Sequence, residues 1–299
     1  MNYTKPPISV GDQIAKLKAR GLTINDEAKA ASYLSNISYY RLRAYTYPFQ
    51  DNKNPLHPFI VPVTFDKIIN LYVFDRKFRL LLFDAIEKIE ISMRTEIIYQ
   101  WALTNGSHWH LDAALFRNPV QFAKNYTRLS EEIKRSEETF IKHYRQKYTN
   151  PTDPPSWMSL EVTSFGLLSL IFSNLKKGPE KIAVTKYYGL NDISVLESWM
   201  HSLSNIRNVC AHHSRLWNRR LTAHIKLPTN TKFTFVKHKN ILPYKVYAAV
   251  CSIQYLLNII SPGCGFKDRL LSLMKNCPLA QEKEMGFPPD WQNEPLWKN

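Results

Sequence analysis

The densest chemistry in this chain lies in SNIRNVCAHHSRLWNRR, Ser204 to Arg220, where imidazoles, carboxamides and guanidiniums alternate with apolar residues. An imidazole, whose ordinary pKa is about 6.5, can take the proton of a ribose 2′-hydroxyl near neutrality. A guanidinium can pair with two phosphate oxygens and stabilise the charge that builds on a phosphorane. A carboxamide such as Asn208 can orient either partner. These groups suit metal-free transfer within an RNA phosphodiester, which leaves a 2′,3′-cyclic phosphate and a 5′-hydroxyl.

Their positioning requires a helix. At about 100° per residue, Leu196, Trp199, Leu203, Ile206 and Cys210 share one face. His201, Ser204, Asn208, His212 and Arg215 share another, a sector of about 80°, with Arg207 at its flank. Arg-x4-His alone is a weak pattern, and a second copy, Arg219 with His224, occurs here. By spacing alone, a solvated basic helix end is the better account. His212 and His213 lack an acidic or thiol partner at metal-site spacing, so neither metal nor cofactor is expected.

The elements around this helix can also be read. Ser9 to Arg20 and Asn25 to Leu34 predict two short helices, with Asn25 as N-cap ahead of Asp26 and Glu27. SYYRLRAYTYPF, Ser38 to Phe49, is aromatic and basic. Phe65 to about Leu103 predicts one long amphipathic helix, and Asn118 with Pro119 starts another, running to about Tyr148. Trp157 to Leu175 and Pro179 to Tyr188 follow, and Asn191 or Asp192 caps the helix reaching about Trp217. Lys232 to Val236 alternates like a short strand. Leu242 to Ile260 and Phe266 to Asn276 are helical. The tail from Pro278 to Asn299 reads as loop, with Trp291 and Trp297 tucked back onto the body.

Nine glycines, 44% apolar and 13% aromatic residues in 299 positions exclude a disordered chain and favour helices. A net charge of +15 points to a polyanion such as nucleic acid, because binding phosphates releases condensed counterions. Charge alone also fits an anionic membrane or simple solubility. No run approaches 18 apolar residues and the N-terminus lacks a signal-peptide core, so the expectation is a cytoplasmic protein that crosses no membrane. Cys210, Cys251, Cys264 and Cys277 form no C-x-x-C pair and read as reduced thiols, two or three of them buried.

The run from Ile206 to Arg220 resembles the signature of the Abi-like abortive-infection family, of the form i-RN-x-x-AHH-x-R-l-WN. YYRLRAYTYPF at Tyr39, LYVFDRKFRLLLFDAIEKIEISMRT at Leu71 and PSWMSLEVTSFGLLS at Pro155 occur in the family's order, so the resemblance covers about residues 35–220. That family is grouped with the HEPN superfamily, which shares the motif R-[polar]-x3-5-H. The resemblance implies an all-α, HEPN-type helical bundle with additional N- and C-terminal helices. The expected division is residues 1–64, 65–223 with the motif, and 224–299, forming one continuous body. It implies Arg207 and His212 as the catalytic pair, with Asn208 and His213 supporting them. Arg215, Asn218 and Arg219 would hold RNA or support the site. It also implies a homodimer with a composite site, RNA as substrate, and a role in phage defence in which a small RNA can act as antitoxin.

Other features have blander alternatives. Arg76, Arg79, Glu87, Glu90 and Arg94 form a charged stripe around Phe83, which is either a solvated face or a partly buried network orienting Arg207 or the dimer partner. Arg41 and Arg43 among tyrosines can hold RNA, although tyrosines at this density are more often core. The charged run Lys124 to Lys147 carries nearly as many acids as bases and reads as a solvated face. Trp157 and Glu161, one turn apart, read as structural. The sequence therefore predicts a metal-independent endoribonuclease acting as a defence toxin. Its rivals are a non-catalytic RNA-binding partner of a small RNA, a nucleotidyl-transfer partner, for which the chain lacks a Gly-rich phosphate loop, and a helical scaffold.

Overall fold

The structure, a computed structural model, describes residues 2, 6–238, 240–277 and 280–298. Among these the chain is all-α, with fourteen α-helices, four 3-10 turns and no strand. No described helix is long and apolar enough to cross a membrane. The chain divides into two compact units, residues 1–79 with 270–281, and residues 80–269 with 282–299.

In the first unit, α1 (Val10–Ala19) opens with a reciprocal cap. Ser9 Oγ accepts from the Asp12 amide at 3.1 Å, and the Asp12 carboxylate accepts from the Ser9 amide at 3.3 Å. Helix α2 (Glu27–Ile37) is capped by Asp26, one residue beyond the predicted Asn25, through the Lys29 amide at 2.8 Å. The aromatic-basic segment is α3 (Tyr39–Thr46) followed by a 3-10 turn. Leu42, Tyr45 and Thr46 face the core, while Tyr40 is exposed. Tyr45 donates to Asp75 at 2.7 Å, and Asp75 pairs with buried Arg79 at 3.5 Å. Burial, with Asp75 alongside, pushes the Tyr45 phenol far above its ordinary range.

Helix α4 (Phe65–Asn105) matches the predicted long helix, and the division between units falls within it. The second unit continues with α5 (Pro119–Arg135) and α6 (Thr139–Lys147), so the helix expected to reach Tyr148 is two helices. Ser136 and Glu138 are extended between them. Arg145 donates to the Ile133 carbonyl at 2.6 Å, which also accepts from the Ser136 amide at 3.0 Å. The predicted helix from Trp157 to Leu175 is likewise split into α7 (Ser156–Ser159) and α8 (Phe165–Asn174). Distant side chains stabilise that break. Glu132 accepts from both the amide and the hydroxyl of Ser164, at 2.8 and 2.9 Å. Trp157 is half exposed on its four-residue helix.

Helix α9 (Pro179–Tyr187) stops before Gly189, whose φ of +64° and close packing both require glycine. A Cβ there would lie 2.6 Å from the Phe233 ring. Helix α10 (Ile193–Ala211) packs against α8, α9 and α11 (Val246–Ile260). Among the described residues, 212–245 contain no helix, and the predicted strand at Lys232 is replaced by an isolated bridge from Thr231 to Leu190. Helix α12 (Phe266–Lys275) follows, and the division falls within it as well.

The tail carries α13 (Glu282–Met285) and α14 (Pro295–Lys298); its Pro278, Leu279 and Asn299 lie outside the described residues. Trp291 and Trp297 are buried edge-to-face at 5.0 Å, and Trp297 donates to the Tyr247 hydroxyl at 3.2 Å, as the tucked-back reading requires. Cys210, Cys251 and Cys277 are buried and Cys264 is partly exposed.

Candidate active site

Three fastenings position α10. At its start, the Asp192 carboxylate accepts from the Ser194 amide and from Lys226, both at 2.8 Å. The Lys226 hydrogen bond leads the causes that hold Asp192 at about 2. One turn on, buried Lys181 of α9 pairs with Glu197 at 2.7 Å and donates to the Leu175 carbonyl at 2.9 Å. Burial lowers the Lys181 pKa, while Glu197 opposes that shift. Two residues further along, the Trp199 indole donates to the Lys226 carbonyl at 2.9 Å. The apolar face predicted for this helix is the buried one, from Leu196 through Cys210.

The helix ends six residues earlier than the predicted Trp217, and its ending shapes the site. The Ser214 amide bonds back to the Val209 carbonyl at 3.0 Å and the His213 amide to the Cys210 carbonyl at 3.1 Å. This is a Schellman turn, in which the residue after the cap adopts left-handed backbone and is usually glycine. Here that residue is His213, with φ of +56°. Histidine is among the side chains that tolerate this region better than most, at an energetic cost. The turn leaves His212 and His213 exposed at the helix end. It also corrects the predicted polar sector. Arg215 lies beyond the helix, and Ser204 is buried with its hydroxyl on the His201 carbonyl at 2.9 Å.

Arg207 faces α4. Its guanidinium carbon sits 5.5 Å from the Phe83 ring centre, a cation–π placement. Its Nε is 4.0 Å from Glu90 Oε2. The other oxygen, Oε1, accepts from Arg94 at 2.7 Å, and the same Arg94 nitrogen donates to the Thr163 carbonyl at 2.7 Å, in the break between α7 and α8. Arg207 remains 40% exposed, whereas Arg94 is buried, so only the former can meet a ligand.

The charged stripe on α4 is therefore not one surface. Arg79 belongs to the Asp75 pair of the first unit, Glu90 and Arg94 form the network beneath Arg207, and Arg76 and Glu87 are exposed. Rotation about the helix explains the split. At about 100° per residue, Arg79 and Glu90 fall together on the inner side, while Arg76 and Glu87 lie about 60° outward.

His212 does not share the surroundings of Arg207. With Asn208 it lines a groove of about 260 Å³ between α10 and residues 219–223. Arg219 also lines that groove, and its Nη1 donates to the Arg215 carbonyl at 3.3 Å. Asn218 is half-buried, with its Oδ1 enclosed and unpartnered in the protein. Arg41 and Arg43 belong to the first unit, where Arg43 contacts His57 at 3.3 Å. Asn205 and Arg220 escaped the sequence reading. Asn205 lines the groove, and its place three residues before Asn208 on one helix face was the available signal. Arg220 lies 4.1 Å from the Tyr244 ring centre. Among the described residues, no group of three or more His, Cys, Asp or Glu converges as a metal cage would require.

The fold and site thus define an all-α protein with a basic, histidine-tipped helix end. The Abi-like protein family model matches residues 32–218, more than half of the 299, and the chain belongs to that family. No curated protein and no solved structure gives a significant match. The matched span runs from within α2 past the His212 turn and stops one residue short of the 219–223 wall of the groove.

Proposed function

We propose that this protein is a metal-independent endoribonuclease of the HEPN type that acts as an infection-aborting toxin in the cytoplasm. One observation carries the reading. Arg207 is held by Phe83 and Glu90 yet open to solvent, a little over one turn before a helix end that presents two imidazoles. In the proposed reaction, His212 takes the proton of a ribose 2′-hydroxyl and the 2′-oxygen bonds to phosphorus. The bond from phosphorus to the 5′-oxygen then breaks, and the departing oxygen is protonated. Arg207 stabilises the pentavalent charge. Asn208 and His213 orient the reacting groups. Family membership supports the role in defence.

A homodimer is part of the proposal. Leu80 and Ile91 are more than half exposed on one side of α4, with Asp84 and Glu87 between them, and a second copy would cover both apolar side chains.

The separate surroundings of Arg207 and His212 favour a second reading, an RNA-binding defence protein that works with a small non-coding RNA and does not cut. Labelled RNA incubated in EDTA with wild type, His212→Ala and Arg207→Ala separates the two. Cyclic-phosphate ends made by wild type alone are the expected result. RNA bound by all three proteins and cut by none would replace the nuclease with the binding protein.

A further inference from the structure

The groove beside His212 has a size and a mixed apolar and polar lining that suit one polar-edged ring. Its floor is apolar, made by Ile206, Val209 and Leu221, of which Ile206 and Leu221 are buried. Its rim carries Asn205, Asn208 and Arg219, and His212 stands among the lining residues. The volume, about 260 Å³, suits a single nucleoside and is too small for two. Apolar walls with a few fixed polar groups are the usual make-up of a small-ligand site.

Two of the rim groups are held in place. The Asn205 side-chain amide donates to the His201 carbonyl at 2.7 Å, which fixes the carboxamide and leaves its oxygen as an acceptor. Arg219 is tied through Nη1 to the Arg215 carbonyl, which restrains a planar guanidinium that can stack or donate. Proteins read single-stranded RNA with this combination, holding an unstacked base on an apolar or guanidinium plane and bonding its edge.

We propose that this groove is a nucleobase subsite that receives the base of the nucleotide whose 2′-hydroxyl attacks, and so sets the sequence preference of cleavage. The proposal rests on the nuclease reading for its role but not for its binding chemistry. With the base in the groove, the attached ribose lies at His212. Asn205 and Asn208 select among bases through their edges, and Leu221 supplies the apolar plane. One wall falls within the family match and the other, residues 219–223, outside it.

The test is calorimetric titration of the four ribonucleoside 3′-monophosphates, with ribose 5-phosphate as the ligand lacking a base. Wild type, Leu221→Trp and Asn205→Ala are compared, each checked for an unchanged helical spectrum. Wild type is expected to bind at least one nucleotide about tenfold more tightly than ribose 5-phosphate. Leu221→Trp, which fills the groove, should erase that advantage. Asn205→Ala, which leaves the core untouched should the tryptophan variant fail to fold, should change the ranking of the four bases. Equal binding of all five ligands by wild type would overturn the subsite, as would a ranking unchanged in both folded variants. Cleavage of RNAs differing at one position distinguishes the two proposals. Base-selective nucleotide binding without any cutting keeps the subsite and removes the nuclease, whereas cutting without base preference does the reverse.

Discussion

Oε2 of Glu90 stands 4.0 Å from Nε of Arg207, while the other oxygen of the same carboxylate is taken by Arg94. One acid thus links a buried arginine, fixed to a backbone carbonyl, with an exposed one that can meet phosphate. Glu90→Gln keeps an acceptor for Arg94 and removes the charge beside Arg207. RNA cleavage by this variant is expected to lose about tenfold in kcat with KM little changed, which corresponds to about 1.4 kcal/mol of transition-state stabilisation. A variant that only raised KM, or that recovered with Glu90→Asp no better than with Glu90→Ala, would count against positioning of Arg207.

His213 allows the backbone and the side chain to be tested apart. His213→Gly and His213→Ala both remove the imidazole, but only glycine adopts the left-handed turn freely. Denaturant unfolding is expected to place the glycine variant above the alanine variant by about 1 kcal/mol. Equal stabilities would mean that the turn does not persist in solution.

His110 makes stability depend on pH. Its ring is buried with neither nitrogen partnered in the protein, and burial, followed by His108, holds its pKa down at about 3. The folded chain therefore binds fewer protons than the unfolded chain between about pH 3 and the unfolded value of about 6.5, so this group makes stability fall as pH drops through that window. Between pH 7.5 and pH 5 the loss is expected to be roughly 2 kcal/mol. Urea midpoints of wild type and His110→Phe at the two pH values check it. An identical pH dependence in both proteins would remove His110 as the cause.

Lys181 is a buried cation shared by the end of α8 and by Glu197. Lys181→Met strands that carboxylate against an apolar neighbour and is expected to cost about 3 kcal/mol. Adding Glu197→Leu should restore much of the loss, because the pair then becomes apolar contact. Additive losses in a double-mutant cycle would show that the two residues are not coupled.

How much of this was legible depended on where each feature gets its stability. The long α4, the Asn118 cap, the apolar face of α10 and the buried tail tryptophans follow from local periodicity and capping chemistry, and they match. The breaks at Ser136 and at Thr163 carry no proline or glycine. Arg145, Glu132 and Arg94 bond to the backbone at or beside them from other parts of the chain. The early end of α10 was hidden for the same reason, since a histidine occupies the position where glycine would have announced the turn. Among the proposed site residues, the pattern placed Arg207 and His212 on one helix. It did not show that they meet different neighbours, because those neighbours come from α4 and from residues 219–223.

The groove has walls of unequal stiffness. One is α10, whose amides are bonded within a helix tied down at Asp192, Glu197 and Trp199. The other belongs to the stretch after Ala211, helix-free among the described residues, and is held by single tertiary links such as the Leu221 amide to the Tyr244 carbonyl at 2.8 Å and the Ser202 hydroxyl to the Ala223 carbonyl at 3.0 Å. Hydrogen exchange from α10 should require opening of the whole unit, while residues 219–223 exchange through local excursions. An occupant of the groove would then slow exchange on the loop side alone, and that one-sided protection would report occupancy without any turnover.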